Sequence, residues 1–144
     1  MKYKNLRGIV VPLTGYLADV LWDEPLPLDV LVPVPLHHKR LRERGYNQSE
    51  LLARNLAKLV GADVVADALS KVKDTLPQAR TANVEERRTN VARAFSCKAG
   101  SVEGKRALLV DDVTTTGATL EACASELKRA GAASVWALTV AREL

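Results

Sequence analysis

Apolar and polar positions alternate along this chain in blocks of two kinds. Val30 to Val34 and Ala107 to Val110 are short, nearly unbroken apolar runs, the pattern of strands buried on both faces of a parallel sheet. Between them, Leu51, Leu52, Leu56, Leu59 and Val60 recur at helical spacing. Asn47, with Glu50 three residues on, predicts the start of that helix, and Gly61 predicts its end. Leu120, Ala124, Leu127 and Lys128 mark a second helix that stops at Gly131, and Ser134 to Val140, with Val135, Ala137 and Leu138, reads as a last strand. Asp63 to Ala66 and Leu69 to Lys73 are short strand-like pieces, followed by a polar stretch without sustained periodicity as far as Phe95. Near the beginning, Leu13, Leu17, Val20 and Leu21 predict an amphipathic helix, which Pro12 keeps from running unperturbed out of Leu6. The expected architecture is α/β, with helices lying on a mostly parallel central sheet.

The densest chemistry follows the second apolar run, in Ala107-Leu-Leu-Val-Asp-Asp-Val-Thr-Thr-Thr-Gly-Ala-Thr119. The polar cluster begins where the strand should end, so Asp111 and Asp112 are expected at its carboxyl edge, where open α/β sheets bind ligands. Thr114-Thr-Thr-Gly-Ala-Thr119 then forms a hydroxyl-rich turn into a helix. Free amides and the positive end of the helix dipole favour an anion there, Gly117 allows close approach of the backbone, and the threonine hydroxyls add donors. Two carboxylates would repel a bare phosphate. They suit sugar hydroxyls or a magnesium-bound group, so the inferred ligand is a sugar phosphate carrying Mg²⁺. The same elements also fit a phospho-acceptor domain or a merely capped helix. No Gly-x-x-x-x-Gly-Lys-Ser/Thr run is present, which argues against a P-loop nucleotide hydrolase.

This segment resembles the phosphoribosyl-pyrophosphate (PRPP) signature of type I phosphoribosyltransferases, with Thr114 standing where that family more often has an aliphatic residue. Leu31-Val-Pro-Val-Pro-Leu-His-His-Lys-Arg-Leu-Arg-Glu-Arg-Gly-Tyr-Asn-Gln-Ser-Glu50 resembles the hallmark of the family's competence protein F branch. Lys73-Asp-Thr-Leu-Pro-Gln78, Arg87-Arg-Thr-Asn-Val91 and Ala94-Phe95 resemble further elements of that branch, so the likeness runs over nearly the whole chain. It implies a type I phosphoribosyltransferase-like fold. It further implies that Asp111 and Asp112 contact the ribose hydroxyls and that Thr114, Thr115, Thr116, Gly117, Ala118 and Thr119 hold the 5′-phosphate. Mg²⁺ would arrive with PRPP, close to Asp111 and Asp112 and without a direct protein ligand. Branch members often begin with a zinc ribbon of cysteine pairs, which this sequence lacks.

Lys39, Arg40, Arg42 and Arg44 form the densest positive cluster, directly after a strand whose exit Pro33 and Pro35 stiffen. Guanidinium groups pair well with diphosphate oxygens, so Leu36, His37, Lys39 and Arg40 are assigned to the leaving pyrophosphate. A solvated basic surface or a nucleic-acid contact would use the same cluster. His37 and His38 have no Cys or carboxylate at ligand spacing, so they are expected to shape the turn rather than bind zinc.

The polar stretch before Phe95 resembles the family's mobile catalytic loop, which would close over PRPP and exclude water. Gln78, Arg80, Arg87 and Arg88 are its candidates, with Arg80 grouped with Asp111 and Asp112 as catalytic. Arg87 and Arg88 fit equally well in a short helix capped by Asn83, paired to Glu86.

The 144 residues, 47% hydrophobic with 4% aromatics, are expected to form one domain over 1–144 with an aliphatic core, residues 1–28 supplying any hood over the acceptor. Cys97 and Cys123 lack metal spacing and suit a reducing cytosol, and no run has the length of a membrane span or the pattern of an export signal. The net charge of +4 admits anionic partners without specifying DNA. Three functions remain open: Mg²⁺-dependent phosphoribosyl transfer with pyrophosphate release, PRPP binding by a non-catalytic competence factor, and handling of single-stranded DNA. Competence proteins and a second copy of the chain are further candidate partners.

Overall fold

The computed structural model describes residues 14–23, 25–73, 91, 93–114 and 117–142. Helix α1 covers 14–23, followed by strand β1 (Val30–Pro33), helices α2 (His38–Arg44) and α3 (Gln48–Val60), and strands β2 (Asp63–Val64), β3 (Leu69–Lys71) and β4 (Phe95–Cys97). Strand β5 (Arg106–Thr114), helix α4 (Ala118–Arg129) and strand β6 (Ser134–Arg142) complete the order. Four strands form an all-parallel sheet in the order β2-β1-β5-β6, and β3 and β4 pair antiparallel as a small separate sheet.

Strict alternation divides the apolar residues of the central strands between two cores. Val30, Val32, Ala107 and Leu109 pack with Leu127 and Cys123 of α4 and with Leu69 and Phe95 of the small sheet. Leu31, Leu108 and Val110 face the other way, onto Leu52 and Leu56 of α3 and Leu17 and Leu21 of α1. A strand covered on both sides needs apolar residues at successive positions, which is why both runs are continuous. Leu59, counted among the helical-face residues of α3, is 48% exposed. The buried stripe of Ser49, Leu52, Ala53, Leu56 and Ala57 turns away from it.

Two expectations change in the structure. Strand β5 does not end at Val110; it continues through the acidic pair to Thr114, because β6 accompanies it with Asp111 opposite Thr139 and Thr114 opposite Arg142. Pairing with β1, by contrast, stops at Pro33 opposite Val110. The basic turn is helical from His38 to Arg44. Lys, Arg, Leu and Glu are good helix formers, and they lie between a capping His37 and a left-handed Gly45 with φ of 84°.

Pro33 is tolerated in a central strand because of where its nitrogen points. Val65 N–H donates to Leu31 O, so odd positions of β1 bond towards β2, and β2 ends at Val64. The missing N–H at Pro33 therefore costs no ladder bond. At the opposite end of the sheet, Asp29 and Arg106 tie the start of β1 to the start of β5. The Arg106 backbone N–H and Nε donate to Asp29 Oδ2 at 2.8 and 3.0 Å, and Nη2 donates to Oδ1 at 3.0 Å.

Candidate functional site

The carboxyl ends of β1 and β5 bring the two principal motifs to one edge. Val34 N–H donates to Val110 O at 3.0 Å, so the exit of β1 leaves beside the residue that precedes the acidic pair. Asp111 is 9% exposed, and its Oδ1 accepts from Ser49 Oγ at 2.9 Å and from the Asp112 backbone N–H at 2.9 Å. Burial pushes its carboxyl up to about 7. Hydrogen bonding with the Asp112 side chain adds to the rise, while the Ser49 hydroxyl and the Asp112 amide oppose it. Asp112 is half-buried beside it.

Strand β5 leads into α4 through Gly117, the residue at the helix N-cap, which has φ of 80° and accepts from Glu121 N–H at 2.9 Å. A Cβ added there would meet open space, so the left-handed backbone rather than crowding calls for glycine. Ala118 and Thr119 are half-buried in the first turn. Thr115, Thr116 and the side chain of Thr114 lie outside the described residues, as do Gln78, Arg80, Arg87 and Arg88.

On the β1 side, Leu36 is half-buried and His37 is buried. His37 Nδ1 accepts the Lys39 N–H at 3.2 Å, which caps α2, and the His37 and His38 rings lie 4.1 Å apart. His37 thus starts the helix into which the basic segment folds, and His38 is its exposed first residue. Arg40 is half-buried, whereas Lys39, Arg42 and Arg44 are exposed, and no side chain of α2 is buried.

Two contributors escaped the sequence reading. Lys71 of β3 forms a parallel bridge with His37, which brings its backbone beside the candidate pyrophosphate turn, while its Nζ lies 5.8 Å from the Phe95 ring centroid. Ser49 grips Asp111 from another helix. It had a readable signal, being the one polar member of the 49, 52, 53, 56 face that is otherwise Leu, Ala and Leu. Cys123 is buried below the site; burial first, and the Asp111 charge second, hold its thiol well above the ordinary range, so it is not poised as a nucleophile.

The phosphoribosyl transferase domain family matches residues 45–143, more than half of the sequence. The chain belongs to that family. It is 37% identical over 114 residues to competence protein F of Haemophilus influenzae, covering 76% of this chain and 49% of that protein. It is 38% identical over 120 residues to the DNA utilization protein YhgH of Salmonella typhi, covering 83% and 52%, and 38% identical over 117 residues to competence protein ComFC of Bacillus subtilis, covering 78% and 44%. The chain thus spans about half the length of these relatives, which place it in the competence protein F branch of the phosphoribosyltransferases. The fold is shared with the allosteric regulatory enzyme of purine biosynthesis, at a TM-score of 0.60 and 22% identity over 89% of this chain and 25% of that one. Adenine phosphoribosyltransferase of Trypanosoma brucei shares it at a TM-score of 0.59 and 16% identity, over 92% of this chain and 52% of that one. The type I phosphoribosyltransferase architecture, a parallel sheet flanked by helices, is therefore the architecture of this chain.

Proposed function

We propose that this domain binds PRPP with Mg²⁺ and transfers its phosphoribosyl group with release of pyrophosphate. The observation that carries the reading is the junction of β5 and α4: a buried carboxylate, its half-buried neighbour and a left-handed glycine at a helix start follow one another within seven residues, Asp111 to Gly117. In this reading Asp111 and Asp112 accept hydrogen bonds from the ribose hydroxyls. Their negative charge favours the positive charge that develops at C1 as the bond to pyrophosphate lengthens. The amides that open α4 receive the 5′-phosphate. Leu36, His37, Lys39 and Arg40 line the path of the departing pyrophosphate, with the backbone of Lys71 in β3 beside His37. Magnesium, a hard cation that takes oxygen ligands and keeps waters, supplies charge neutralisation of the diphosphate near Asp111 and Asp112. Gln78, Arg80, Arg87 and Arg88 lie outside the described residues, and the family resemblance alone assigns them to shielding the donor from water. The two free thiols, Cys97 and Cys123, accord with work in a reducing cytosol, and among the described residues no helix is long and apolar enough to cross a membrane.

Mg·PRPP is expected to raise the Tm of the wild-type protein and to leave that of Asp112→Asn unmoved. Pyrophosphate release above the uncatalysed rate, in a screen of bases and amines as acceptors, distinguishes transfer from binding alone. Absence of any Tm shift in the wild type would remove the reading.

A second reading has its own support. Helix α2 carries Lys39, Arg40, Arg42 and Arg44 with no buried side chain, a form suited to nucleic-acid phosphates, and relatives bear names that refer to competence and DNA utilization. Oligonucleotide binding that weakens steeply with salt, disappears on removal of the Arg40 and Arg44 charges and ignores Asp112→Asn would support single-stranded DNA handling over transfer.

A further inference from the structure

The beginning of α3 is bonded into both sides of the proposed donor site. Ser49 is only 4% exposed, and a buried hydroxyl is costly unless it is hydrogen-bonded. Capping of α3 does not use that hydroxyl, because Asn47 Oδ1 already accepts the Ser49 N–H at 3.1 Å. The hydroxyl instead donates to Asp111 Oδ1 at 2.9 Å. Together with the Asp112 N–H on the same oxygen, it fixes the plane of the carboxylate. Asn47 is likewise more than a cap: its Nδ2 donates to Val34 O at 3.0 Å, at the exit of β1. Val34 N–H in turn bonds Val110 O, one residue before Asp111. The contacts close a ring from Val34 to Asn47, Ser49, Asp111, Val110 and back to Val34.

We infer that Ser49 and Asn47 are positioning residues of the donor site, Ser49 setting the direction of the Asp111 carboxylate and Asn47 setting the β1 exit relative to it. The inference rests on the reading that the acidic pair grips ribose and that the β1 exit receives pyrophosphate. Neither residue touches the donor in this scheme. Each acts through a group that does.

The test compares Mg²⁺ with ribose 5-phosphate and Mg²⁺ with inorganic pyrophosphate as separate calorimetric probes. Ser49→Ala and the nearly isosteric Ser49→Cys should bind ribose 5-phosphate about tenfold more weakly, the scale of one hydrogen bond to a charged group, while pyrophosphate affinity stays within about twofold. Ser49→Thr, which keeps the hydroxyl, should recover most of the loss. Asn47→Asp keeps an acceptor for the Ser49 N–H but cannot donate to Val34 O, so it should weaken pyrophosphate while α3 stays capped. Should Ser49→Ala fail to fold, the Cys and Thr variants carry the comparison by themselves. Wild-type affinity for ribose 5-phosphate in Ser49→Ala or Ser49→Cys overturns the inference, and so does an equal loss of both probes in all the Ser49 variants, Thr included. A folded wild type that binds neither probe defeats the donor-site reading first, and the inference with it.

Discussion

An aspartate stands at each end of the paired strands β1 and β5, and the two sit in opposite electrostatic conditions. At the amino-terminal edge, half-buried Asp29 receives the Arg106 guanidinium and backbone amide, which hold its carboxyl down to about 2. At the carboxyl edge, buried Asp111 receives a hydroxyl and an amide, and burial holds it up to about 7. The first carboxylate has its countercharge built in. The second is served by neutral donors, so its charge is least satisfied where a cationic or hydroxyl-bearing ligand would complete it. One end of the sheet has its countercharge in place, and in the proposed function the other end receives a ligand.

The largest effect that would break this contrast is a loss of pH sensitivity at Asp111. Its carboxyl is raised in the folded chain, so the stability tied to the neutral form is fully present below the ordinary value of 3.8 and is lost as pH rises through about 7. Asp111→Asn keeps an acceptor for Ser49 and removes the titration. Thermal unfolding should therefore show the variant gaining on the wild type from pH 5 to pH 8, by at most about 3 kcal/mol because only the two units between pH 5 and the raised value contribute, while its response to Mg·PRPP disappears. Parallel pH profiles for the two proteins would contradict the contrast.

Gly117→Ala should cost about 1–2 kcal/mol in urea unfolding, because φ of 80° is disfavoured for any residue with a Cβ. It should also weaken inorganic phosphate binding, whereas the same change at Gly104, which also has a positive φ but lies away from the candidate site, should affect stability alone.

The smallest effect is expected at the other end. Asp29 has its carboxyl lowered, so its contribution is present above 3.8 and fades as pH falls through about 2. Asp29→Asn should lower Tm slightly at neutral pH, less so in high salt, with no change in ligand response. A change in PRPP affinity in that variant would show that the two ends are not independent.

The sequence made the buried parts of this fold legible and left the edges to tertiary context. Runs such as Leu31–Val32 and Leu108–Leu109 announce double-sided burial, and Asn47 and Gly61 bracket α3 as read. The length of β5 was hidden because Asp111 and Thr114 look like loop residues; only the partner β6 decides that they stay extended. Helix α2 was hidden because a dense run of cations suits a solvated turn as well as a helix. Asp111, Asp112 and Gly117 were readable as a unit because their neighbours in sequence are also their neighbours in space. Ser49 and Lys71 reach the same edge from 62 and 40 positions upstream of Asp111, and spacing along the chain does not encode that meeting.

Helix α2 keeps none of its side chains in the interior. Its sequence is therefore held less tightly by packing than those of α3 and α4, with half-buried Arg40 as its most enclosed member. The stretch from His38 to Arg44 can be regarded as an interchangeable cassette: a neutral, equally helical replacement between His37 and Gly45 would leave the scaffold standing and isolate what the positive charge is for.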